Sequence, residues 1–108
     1  MDALGHKKWK FTRAMVEDAP STRGVYALWE NDALICIGRA EGGEDTIRSC
    51  LLEHLQGPHG AQSRNATHYS WEICMNPEAR ERELLREAAG PGDRASVVAH
   101  LSTYRRQA

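Results

Sequence analysis

The chain has 108 residues, 41% hydrophobic and 27% charged, a length that supports one compact domain with one core and leaves no room for two ordinary ones. Lysine and arginine number 14 against 15 acidic residues; a net charge of −1 gives no global positive field, so any nucleic-acid contact has to be local. No apolar run approaches the roughly 18–20 residues that span a bilayer, and "MDALGHKKWKF" has no apolar stretch behind its lysines, so neither a membrane span nor a signal peptide is expected.

Between Lys8 and Pro20 the pattern is weak, with Trp9, Phe11, Met15 and Val16 able to cover one edge of a core. The first clear element is "GVYALWE", rich in strand formers, with Tyr26, Leu28 and Glu30 on one face and Val25, Ala27 and Trp29 on the other. Asn31 and Asp32 then link it to "ALICIG", which predicts a hairpin whose second strand sets Ile35 with Ile37 and opposes them to Leu34, Cys36 and Gly38. After the loop "EGGED", Asp45 or Thr46 can cap a helix in which Ile47, Leu51 and Leu55 recur every four residues, ending at Gly57 and Pro58. A polar loop follows. "THYSWEICM" alternates Tyr69, Trp71, Ile73 and Met75 against Ser70, Glu72 and Cys74, a third strand with one buried face. "NPEARERELLREAAG" is a strongly punctuated helix: Asn76 caps it, Pro77 opens it, Gly90 follows its end, and Leu84, Leu85 and Ala88 form the apolar side. Val97, Val98, Leu101 and Tyr104 share one stripe, which predicts a last helix over 93–106. The order β-β-α-β-α-α points to an α+β fold with a small antiparallel sheet flanked by helices.

Cys36, Cys50 and Cys74 are odd in number and lack CxxC spacing, which suits free thiols in a reducing, cytoplasmic setting. Basic residues cluster locally in "HKKWK" and "YRR", where a solvated surface is the simpler reading. No repeat, low-complexity segment or linker divides the chain.

In this order and spacing, "GVY" (Gly24, Val25, Tyr26), "CIG" (Cys36, Ile37, Gly38), a helix carrying His54, a third strand and "ExxLL" from Glu81 resemble the GIY-YIG nuclease family over about residues 9–87. The resemblance implies a three-stranded antiparallel sheet flanked by helices that cleaves DNA phosphodiesters with one Mg²⁺ or Mn²⁺. It implies two tyrosines near the attacking water, a helix arginine on the scissile phosphate and a glutamate on the metal. A hard cation prefers carboxylate oxygen, and a guanidinium offers a fork of donors to phosphate.

Carried onto this chain, Tyr26 matches the first tyrosine and Glu81 the metal glutamate, while Cys36 stands at the second tyrosine. Cys50 stands at the arginine, because the family's arginine precedes a core-facing apolar residue and has a histidine four residues on, here Leu51 and His54. Arg48 lies two residues back, roughly 200° around the helix, and points elsewhere; it or Arg39 would have to serve if cleavage persisted. Candidate catalytic positions are therefore Tyr26, Cys36, Cys50, His54 and Arg48, with Arg39, Arg48 and Arg64 as candidate nucleic-acid contacts and Glu81 as the metal ligand. Two cysteines in four positions imply weak or lost catalysis, with a non-catalytic DNA-binding module, a protein partner or a homo-oligomer as the competing expectations. Cys36, Cys50 and His54 in one cleft could instead suit a softer ion such as Zn²⁺.

Overall fold

The computed structural model describes residues 7–56, 65–89 and 98–99. In chain order they form β1 (Trp9–Lys10), α1 (Arg13–Val16), β2 (Gly24–Glu30), β3 (Ala33–Ala40), α2 (Ile47–Leu55), β4 (His68–Ile73), α3 (Pro77–Ala89) and β5 (Val98–Ala99). The fold is α+β. The strand order is β1-β4-β2-β3-β5, with each of β1, β4, β2 and β3 antiparallel to its neighbour and the two-residue β5 parallel to β3. The antiparallel part thus has four strands where three are expected. The additional one is β1, whose two residues pair with Tyr69 and His68 and are too short to show an alternating pattern.

The central strand β2 is buried from Gly24 to Trp29 because helices cover both faces of the sheet. On one face α1 and α2 pack Val16, Ile47, Cys50 and Leu51 against Tyr26, Leu28, Cys36, Ala40 and Tyr69. On the other, Leu84, with Leu85 and Ala88 beside it, covers Val25, Ala27, Trp29 and Ile37. Period-two alternation in β2 thus sorts its side chains as expected.

Two expectations fail locally. A bulge between Leu28 and Trp29 pairs Leu28 with Cys36 and Trp29 with Leu34, so Ile35 is the extra residue. Ile35 therefore packs with Cys36 on the α2 face, and Leu34 joins Ile37 on the α3 face. Alternation cannot anticipate an inserted residue. In β4, Tyr69 is buried but Ile73 is 54% exposed, and Met75, past the end of the strand, is 81% exposed, while Ser70 on the opposite face is buried and accepts a 2.9 Å hydrogen bond from Trp29 Nε1. The strand has no single buried face.

Turn and cap chemistry agree with the sequence. Asn31 takes φ +55 in the hairpin loop, a conformation asparagine tolerates better than most residues. Thr46 caps α2 through Ser49 N, and the Ser49 hydroxyl returns to Thr46 N, a closed capping box. Asn76 Oδ1 accepts from Ala79 N at the start of α3. Of the helix expected over 93–106, Val98 and Ala99 are instead a strand, held by hydrogen bonding along β3 rather than by a local pattern; the rest of that segment and Arg64 lie outside the described residues. No helix among the described residues is long and apolar enough to cross a membrane.

Candidate functional site

The two motif halves meet in the sheet. Gly24, Val25 and Tyr26 pair with Ala40, Arg39 and Gly38, which sets the Tyr26 ring over Gly38. A Cβ at Gly38 would overlap the Tyr26 ring carbons and hydroxyl, so glycine is the residue that fits beneath this tyrosine. From α2, His54 turns onto the same ring. Its Nε2 and the Tyr26 hydroxyl share a 3.1 Å hydrogen bond, and the rings meet edge to face at 5.6 Å between centroids. Both residues are buried, Tyr26 completely.

Helix register decides which α2 residues join them. Ile47, Cys50, Leu51 and His54 are the buried set, so Cys50 and not Arg48 faces the sheet. The Cys50 thiol donates to Asp45 Oδ1 at 3.2 Å, closing the loop before α2 onto the helix. Arg48 turns away and donates from Nε to the Ala19 carbonyl at 2.9 Å, tying α2 to the segment after α1. An Arg48 in that role is a structural strut.

Cys36 lies in the same core, and burial pushes its thiol from the ordinary 9.0 up to about 12, with the nearby Glu81 charge adding to the effect. A thiol held neutral is neither a good nucleophile nor a good metal ligand. It packs in the core as a small apolar group.

Glu81 occupies a second polar centre. Arg39 is in register with Val25 and so shares the face that α3 covers; its Nη1 donates to Glu81 Oε1 at 2.7 Å, and its Nε is paired with Glu41. The pair is well shielded, with 16% of the Arg39 side chain and 8% of the Glu81 side chain exposed. Neighbouring ion pairs on this face join Arg80 to Glu72 and Glu83. The half-buried Cys74 thiol is raised as well, by burial first and then by Glu72, with Arg80 opposing.

These arrangements answer the metal expectations. Mg²⁺ keeps much of its water and needs only one or two carboxylates, so the deciding feature is that Glu81 already receives a guanidinium. Among the described residues no group of three or more His, Cys, Asp or Glu side chains is placed to hold an ion. As arranged, the residues do not fit a divalent-metal centre, and the Cys36, Cys50 and His54 set does not form a softer one. Sequence reasoning missed the Arg39–Glu81 pair, since partners 42 positions apart leave no local signal.

Comparison of the chain with protein-family models, with curated proteins and with solved structures found no match.

Proposed function

We propose that this chain is a GIY-YIG-like domain that binds nucleic acid, DNA first, and has lost strand cleavage. The observation that supports this most directly is the Tyr26 hydroxyl, which lies beside Gly38 in motif register yet is fully buried against His54. A group closed off from bulk water cannot deliver an attacking hydroxide. The other substitutions weigh the same way. Without an arginine at Cys50 the developing charge on a phosphate lacks its main partner, worth about 10²–10³ in rate. Without a tyrosine at Cys36, general-base assistance of about 10²–10⁴ is gone. The free thiols Cys36, Cys50 and Cys74 suit a reducing, cytoplasmic setting.

Cleavage of supercoiled plasmid and branched DNA with Mg²⁺ or Mn²⁺ tests this reading. The native chain is expected to leave both substrates intact. Nicking that Glu81→Ala abolishes would overturn the loss of cleavage. The double reversion Cys36→Tyr with Cys50→Arg is the informative third arm, run beside a thermal melt because both positions are buried and overpacking costs about 1–3 kcal/mol.

A protein partner or a second copy is the competing reading, favoured by the exposed Ile73 and Met75. It predicts a solution mass that rises with concentration.

A further inference from the structure

Glu81 and Glu41 come from different parts of the chain, α3 and the loop after β3, yet both end on one guanidinium. Arg39 gives Nη1 to Glu81 and Nε to Glu41, so two carboxylates converge on a single cation. The Glu41 side chain is half exposed, whereas Glu81 and Arg39 are shielded. Strand and helix register fix the meeting: Arg39 stands opposite Val25, on the face that α3 covers, and Glu81 lies three residues before Leu84, on the side of α3 that packs down on that face.

The helix itself offers Glu81 no other cation. Arg80 is taken by Glu72 and Glu83, and Arg82 by Glu78. Among the described residues Arg39 is therefore the one cation paired with Glu81. One or two carboxylates completed by water are enough to hold Mg²⁺ or Mn²⁺, so Glu41 and Glu81 would suffice in kind. The guanidinium fills that position with a permanent charge whose fork of donors matches carboxylate oxygens. A divalent ion could enter only by driving Arg39 off Glu81, and that would leave a shielded charge without its partner, a costly exchange.

We propose that Arg39 is a built-in counter-ion: it occupies the cation position between Glu41 and Glu81, so that this chain takes no divalent metal there, and the guanidinium alone is what keeps the ion out. The inference rests on the loss-of-cleavage reading above only for the kind of ion concerned. Metal binding is measured without DNA, so the two can fail separately.

The test is a Mn²⁺ titration followed by electron paramagnetic resonance, beside thermal melts with and without millimolar Mn²⁺. It compares the native chain, Glu81→Gln, Arg39→Met, and Arg39→Met with Glu81→Gln. The native chain and Glu81→Gln are expected to bind Mn²⁺ equally weakly and to melt at temperatures that the ion does not move. Arg39→Met keeps the shielded stem and loses the charge; it should bind Mn²⁺ at least about ten-fold more tightly than the native chain, and its melting temperature should rise by a few degrees when the ion is added. Adding Glu81→Gln should remove both gains. Arg39→Gln, which keeps a donor toward Glu81, takes the place of Arg39→Met if that variant does not fold. Glu81-dependent Mn²⁺ binding by the native chain overturns the counter-ion and leaves cleavage to the plasmid assay. A folded Arg39 variant that gains no Mn²⁺ binding overturns the claim that the guanidinium keeps the ion out. Strand cleavage by a native chain that binds no Mn²⁺ through Glu81 overturns the loss of cleavage and leaves the counter-ion standing.

Discussion

The two faces of the sheet are held by different physics. Under α2 the polar side chains are joined by single hydrogen bonds: the Tyr26 hydroxyl meets His54, the Cys50 thiol donates to Asp45 and the Tyr69 hydroxyl donates to the Met15 carbonyl, beside the larger apolar cluster. Under α3 the apolar cluster is smaller, and charges flank it, Arg39 between Glu41 and Glu81 and Arg80 between Glu72 and Glu83. Burying a neutral, hydrogen-bonded group costs little, whereas burying an ion pair costs several kcal/mol that good geometry only repays. Tyr26 and Glu81 thus serve as structural parts of two kinds, a hydrogen-bonded tyrosine on one side and an ion-paired glutamate on the other.

The largest test of this contrast is on the charged face. Arg39→Ala leaves the Glu81 carboxylate shielded without its cation and is expected to destabilise by about 3–5 kcal/mol, while Arg39→Leu with Glu81→Leu should be near neutral, both read by urea unfolding. If the single and double variants cost the same, the pair is not what makes that face charge-dependent. On the α2 face, Tyr26→Phe removes one buried hydroxyl and should cost about 1–3 kcal/mol with little change in cooperativity. A cost as large as that of Arg39→Ala would erase the distinction.

Cys36 sharpens it through pH. Between 9.0 and about 12 the unfolded chain has released the Cys36 proton and the folded chain has not, so stability falls as pH rises, by about 1.4 kcal/mol per unit. Urea midpoints at pH 9 and 10 should therefore drop further for the native chain than for Cys36→Ala. The smallest effect belongs to the α2 cap: Thr46→Ala opens the capping box and should cost about 1 kcal/mol, seen as a shift of a few degrees in a thermal melt.

Much of this was legible in the chain. Propensity and alternation marked β2 and β3, Asn31 and Asp32 marked their turn, and the spacing of Ile47, Leu51 and Leu55 marked α2 and turned Arg48 away from its apolar side. Each of these signals is local, carried within a turn of helix or a few residues of strand, so each can be read before the fold is known.

What the tertiary structure decided lay at long range. The bulge that moves Ile35 to the α2 face follows from how β3 must pair with β2; β1 and β5 are strands only because β4 and β3 offer open edges; and Arg39 finds Glu81 across 42 positions. The amino-acid sequence by itself determined which residues are able to fill these positions, through side-chain shape, hydrogen-bonding capacity and helical or strand period. Only the folded chain decided that Tyr26 is closed over by His54 and Glu81 neutralised by Arg39, because both outcomes depend on burial, and burial is a property of neighbours that the linear order does not contain.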